Sequence, residues 1–199
     1  MDTWFASAPA NIALIKYMGK TDSNHNIPTN ASLSYTLSNL QSFVELEPLK
    51  AHQDHWEPLD LPGAISTFSL SKTGQARFLQ HLNVIKQRLG YDGHFIVRSC
   101  NNFPQSTGLA SSASSFAALT ICAVRAISQL LDRNEITLDE CAVLSREGSG
   151  SSCRSFYQPW ALWTKEQVSA ISLPYEKLIH HVVLISHEGK TISSSEAHR

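Results

Sequence analysis

The sequence predicts an α+β domain, and three observations carry that prediction. Residues 31–38 alternate strictly, with Ala31, Leu33, Tyr35 and Leu37 set against Ser32, Ser34, Thr36 and Ser38. That is the pattern of a half-buried strand. Phe78, Leu82, Ile85 and Leu89 recur at helical spacing and Gly90 closes the run, as a left-handed cap would. Residues 111–131 are apolar on nearly every face, with Arg125 as the single charge. A helix apolar all round belongs at the centre of a domain.

The remaining elements fall between these. SFVELE (42–47) alternates too and is expected to pair with 31–38 as a hairpin. Residues 50–63 hold Pro58, Pro62 and Gly63 beside His52, Asp54 and His55, so they read as a surface loop. A short strand is expected at 65–70, and a helix begins after Ser71. HFIVRS (94–99) reads as a strand leading to a loop, and the central helix follows. Thr137 with Glu140 forms a capping box, and Ile136 is placed to staple onto Cys141. That helix stops at Gly148. Residues 160–164 and 181–186 read as further strands. Strands, a helix, a strand, two helices and strands again make an α+β order.

Composition narrows the function. The chain has 199 residues, 42% hydrophobic and 17% charged, enough for one domain, or one and part of a second. A formal net charge of −1 lacks the basic footprint of a nucleic-acid binder. An anionic ligand must therefore be held by local groups. Cys100, Cys122, Cys141 and Cys153 form no C-x-x-C pair, which fits reduced, buried thiols in a cytoplasmic protein. MDTWFASAP has no basic and apolar signal-peptide pattern. The most apolar segment, 113–124, is interrupted by Arg125 and reads as too short to span a bilayer. The expectation is a small-molecule ligand, with no nucleic acid and no membrane; oligomeric state stays open, a homodimer included.

Two loops are small and rich in hydroxyls. NNFPQSTGLASSASS (101–115) precedes the central helix, whose N-terminus carries partial positive charge and unpaired N–H groups. Gly108 allows close backbone approach, and Ser106, Thr107, Ser111 and Ser112 add hydroxyls. That describes a phosphate cradle, or equally a capped helix after a glycine turn. In EGSGSSCRS (147–155), Gly148 and Gly150 flank Ser149, Ser151 follows, and Arg154 lies one helical turn on. Its fork suits a carboxylate or phosphate; a polar helix connection is the plainer alternative. Other signals are weak. Gly19-Lys20-Thr21 and Gly189-Lys190-Thr191 end like a P-loop, but Leu14 and Leu184 stand where its first glycine is required. His52 with His55, and His180 with His181, lack a third ligand, so no metal site is assigned to protein side chains.

PQSTGLASSAS (104–114) resembles the P-x-x-x-G-L-A-S-S-A phosphate loop of the GHMP small-molecule kinases. APANIALIKYMGK (8–20), NIPTNASLSYTLS (26–38) and GSGSSCRS (148–155) narrow the resemblance to the diphosphomevalonate decarboxylases, from about residue 6 to 195, with a poorly matched 48–92. The resemblance implies a GHMP N-terminal fold of the ribosomal protein S5 domain 2-like type. It implies ATP-dependent decarboxylation of mevalonate 5-diphosphate to isopentenyl diphosphate, ADP, phosphate and carbon dioxide, with Mg2+. Ser106, Gly108, Ser111 and Ser112 would hold the nucleotide phosphates. Asn11, Tyr17, Ser149, Ser151, Arg154, Ser194 and Ser195 would contact substrate, and Lys16, Arg154 and Ser112 would carry catalysis. A mevalonate 3-kinase, a phosphomevalonate decarboxylase and a non-catalytic binding module are the alternatives.

The chain departs from the pattern in places. Met18 replaces a tryptophan, and Gln158-Pro159 replaces a Gly-Gly pair. Glu147 stands before the second loop, where an inward-facing carboxylate would repel a diphosphate. Such decarboxylases carry a D-A-G-P-N segment in a second, C-terminal domain, and its aspartate is the implied general base. Asp2, Asp22, Asp54, Asp60, Asp92, Asp132 and Asp139 lie in no such context. The expectation is an N-terminal domain over 1–186, a start of the connection over 187–199, and little turnover by these residues alone.

Overall fold

The computed structural model describes residues 2–22, 26–64, 69–104, 111–165, 167–175, 177–179 and 181, with the backbone alone for Lys20. Its elements in chain order are β1 (Trp4–Ile15), β2 (Lys20–Asp22), β3 (Ile27–Pro28), β4 (Ser32–Leu49), β5 (His55–Pro58), α1 (Lys72–Leu89), β6 (His94–Asn101), α2 (Ser111–Leu130) and α3 (Leu138–Gly148). A 3-10 turn (Gly150–Phe156), β7 (Trp160–Thr164) and β8 (Gln167–Ile171) follow. The mixed sheet and helices are those of an α+β domain.

The expected hairpin is one 18-residue strand. Both alternating runs belong to β4, and both pair antiparallel with β1 instead of each other. Ser38–Gln41 looked like a turn but is a bulge: Pro9 pairs with Gln41 and Ala10 with Leu37. The Asn102 side chain holds this bulge, donating to the Asn39 carbonyl (3.0 Å) and accepting from the Gln41 N–H (2.7 Å). On its other edge β4 pairs with β6 along its C-terminal half and with β7 along its N-terminal half. β5 is a second correction. It lies inside the stretch read as a surface loop, yet pairs parallel with β6. Trp56 anchors it, buried and donating from Nε1 to Ser99 Oγ at 2.9 Å. The strands expected at 65–70 and 181–186, and the 187–199 segment, fall almost wholly outside the described residues.

The helices follow the sequence closely. Ser71 caps α1, accepting from the Gly74 N–H, and Gly90 closes it at φ 67°. Thr137 and Glu140 form the expected capping box on α3. α2 runs 20 residues, long and apolar enough by composition to cross a membrane, unlike the shorter segment read from sequence. Here it is packed inside the domain. Leu119, Ala123 and Ile127 are fully buried in one cluster with Val44, Leu46 and Val97 of the sheet and Leu82 and Ile85 of α1. All four cysteines are free and buried.

Candidate functional site

Three segments meet at the N-terminal end of α2: the end of β1, α2 itself, and the 3-10 turn after α3. Asn11, on β1, is 2% exposed and ties two of them together. Its Nδ2 donates to Ser155 Oγ (2.8 Å) and to the Ser151 carbonyl (3.3 Å). Its Oδ1 accepts from Arg154 Nη2 at 3.3 Å.

Arg154 is 3% exposed. Its guanidinium lies 5.7 Å over the Trp163 ring. Burial pulls its pKa below the ordinary value, while Cys153 and Tyr17 act the other way. Arginine stays charged even so. Among the described residues Arg154 has no acidic partner, and its Nε and Nη1 have no hydrogen bond. A buried cation with unmade N–H bonds is costly, and an oxyanion is the group that complements it.

The two hydroxyl loops, read separately in sequence, touch. Ser149 Oγ lies 3.5 Å from Ser112 Oγ. The first turn of α2 contains no acidic residue. Beneath it, Ser42 Oγ contacts Ser114 Oγ (2.6 Å), Ser115 Oγ (3.1 Å) and Asn101 Oδ1 (2.7 Å), fixing the helix end from inside. Ser111 is half-buried and Ser112 exposed. Ser106, Gly108, Ser194 and Ser195 lie outside the described residues. Glu147 turns away from this site and pairs with Arg88 at 3.3 Å. The repulsion feared from its sequence position therefore does not arise.

Tyr17 is half-buried, edge-on to Trp163 at 4.9 Å between ring centroids. Burial raises its phenol pKa and Arg154 partly offsets this, so the hydroxyl keeps its proton. Lys16 is exposed and makes no ion pair among the described residues. Ser151 contributes its carbonyl to Asn11, whereas the neighbouring Ser152 is the fully buried hydroxyl of the turn, bonded to Ser145 Oγ (2.8 Å) and the Ser149 carbonyl (2.7 Å).

Two residues escaped the sequence reading. The Asn30 side chain clamps the Lys16–Met18 segment: Oδ1 accepts from the Met18 N–H (2.9 Å) and Nδ2 donates to the Lys16 carbonyl (3.1 Å). Asn30 stands in the quoted NIPTN block but carried no role. Arg77 of α1 is exposed, donates to the Gly148 carbonyl (3.3 Å) and lies 5.7 Å over the Phe116 ring. Nothing in a helical run marks one arginine from another; only the packing of α1 against α2 brings it to the rim.

A sheet backed by a buried apolar helix, with two hydroxyl-rich loops meeting at that helix's N-terminus, defines a GHMP-kinase-type N-terminal domain. The chain belongs to the diphosphomevalonate decarboxylase-like N-terminal domain family, whose model matches residues 8–173. It is similar to the crystal structure of a mevalonate diphosphate decarboxylase from Legionella pneumophila, at 60% identity and TM-score 0.90, covering 99% of this chain and 62% of that one. It is 35% identical over 172 residues to a diphosphomevalonate decarboxylase of Debaryomyces hansenii, covering 81% of this chain and 42% of that protein. A mevalonate diphosphate decarboxylase from Enterococcus faecalis, described for mevalonate diphosphate-mediated ATP binding, matches at 28% identity and TM-score 0.73, covering 85% and 51%. The chain spans about half the length of the curated relatives it matches.

Proposed function

We propose that this domain serves the ATP-dependent decarboxylation of mevalonate 5-diphosphate to isopentenyl diphosphate, and that it supplies both anion sites of that reaction. The observation that carries this reading is Arg154, buried and without an acidic partner among the described residues, 3.3 Å from Asn11 on the turn that begins at the Ser149–Ser112 contact. The donor set fits the ligands. Hydroxyls and N–H groups at the start of α2 suit nucleotide phosphates, and a bound ATP with Mg2+ would supply the phosphoryl group that turns a tertiary hydroxyl into a leaving group. Arg154, Ser149 and Ser151 hold the acidic substrate. Asn11 orients Arg154, and Tyr17 offers a protonated hydroxyl. Lys16, held by Asn30, supplies mobile positive charge at the mouth. The protein's part is then mostly positioning and electrostatic stabilisation, as expected for phosphoryl transfer. The buried free thiols support a reducing, cytoplasmic setting.

Calorimetric titration with mevalonate, its 5-monophosphate and its 5-diphosphate, with and without Mg-ATP, tests the reading. Tighter binding of the diphosphate, lost in Arg154→Ala, is the expected result. ATP binding with no preference for the diphosphate would move the assignment to a mevalonate 3-kinase or phosphomevalonate decarboxylase. A folded chain that binds neither ligand would overturn it.

A further inference from the structure

We infer that Gly148 is a spacing residue, whose missing side chain sets the distance between the N-terminus of α2 and the 3-10 turn. The inference rests on reading those two segments as the nucleotide and substrate anion sites. Backbone conformation does not explain this glycine: among the described residues the glycines with positive φ are Gly19, Gly63 and Gly90. Its surroundings do. A Cβ on Gly148 would lie 2.7 Å from the His81 ring and closer still to the Phe116 ring.

Neither ring can yield cheaply. Phe116 is 6% exposed, edge-on to Phe78 at 5.4 Å and against His81 at 5.3 Å. His81 is 3% exposed, with Nε2 3.0 Å from Thr120 Oγ1. Arg77 grips the Gly148 carbonyl from the outer side. Any displacement must therefore pass to Ser149. Ser149 is bonded to both neighbours: its N–H donates to the Ser145 carbonyl (3.2 Å), and its carbonyl accepts from the Ser152 N–H (2.9 Å). The 3.5 Å contact between Ser149 and Ser112 would open as the turn moved. Because Phe116 sits on α2, one ring both blocks Gly148 and belongs to the helix whose end must be met. Misplacing reacting groups by about 1 Å costs roughly 100-fold in rate.

The test needs no ligand. In a chain carrying Ser112→Cys and Ser149→Cys, mild oxidation should close a disulfide, since the four native thiols are buried. Adding Gly148→Ala should slow closure about tenfold, and adding Phe116→Val to that chain should restore most of the rate, because valine lacks the Cδ and Cε atoms that the new Cβ would strike and leaves room for the His81 ring to move. In the intact protein with native serines, Gly148→Ala should lower kcat about 100-fold with each KM changed less than about threefold, again recovered by Phe116→Val. Unchanged closure in a folded Gly148→Ala chain, or slow closure that Phe116→Val does not relieve, overturns the inference. Should Gly148→Ala fail to fold, recovery of folding and closure by Phe116→Val supports it, and failure to recover overturns it. If closure behaves as expected while titration finds no nucleotide or diphosphate binding, the spacing role stands and the proposed function falls.

Discussion

Arg154 places a guanidinium where water does not reach, and its substitutions should be unforgiving. Arg154→Lys keeps the charge but loses the planar fork whose Nη2 meets Asn11. It should weaken diphosphate binding nearly as much as Arg154→Ala, by on the order of 100-fold, as titration would show. Asn30 offers a finer probe. Asn30→Asp keeps the acceptor for the Met18 N–H and loses the donor to the Lys16 carbonyl. Activity should fall about tenfold while thermal stability changes little, since the clamp is exposed; equal activity would sink the assigned role. At this scale the quoted motif blocks brought Asn11, Tyr17, Ser149 and Arg154 to one place. The same blocks were silent on Arg77, which reaches the rim only through helix packing, and on Asn30, whose work is done on backbone.

The helices announce themselves because their ends are chemically marked. Thr137→Ala removes a complete capping box and should cost about 1 kcal/mol in denaturant unfolding. Gly90→Ala forces a Cβ into the left-handed region at φ 67° and should cost roughly 1–2 kcal/mol. Strands carry no such marks. β1 reads WFASAPANIALI, and its alternation is hidden because alanine and serine differ so little. With β1 invisible, the two alternating runs of β4 had only each other for partners, and a hairpin was the natural reading. β5 was lost among prolines and histidines, although Trp56 was a clue that the loop had something to bury.

Acid should act on the whole molecule through His81. Burial lowers its pKa from 6.5 to about 4. Between those values the unfolded chain binds a proton that the folded chain refuses, so stability rises with pH across this window and is lost on acidification. The loss is on the order of 3 kcal/mol from about pH 6.5 to pH 4. Urea midpoints measured at pH 7 and pH 5 should differ in the native chain, and His81→Gln should shrink that difference. A central helix this deeply packed makes a second demand: Leu119→Ala should cost about 2–5 kcal/mol, because Leu119 is fully buried in the cluster that α2 shares with the sheet and α1.

Trp163 gives the domain an optical signature of its own. Its indole is fully buried and faces the guanidinium groups of Arg154 at 5.7 Å and Arg146 at 5.9 Å. Charges so near an aromatic face bias its electrons and should displace the wavelength at which it emits. An anion settling on Arg154 would cancel part of that field, so the emission maximum should shift as ligand is added. Trp163 would thus serve as a built-in dye beside the proposed anion site, and Trp163→Phe should erase the shift while Trp4, Trp56 and Trp160 continue to fluoresce.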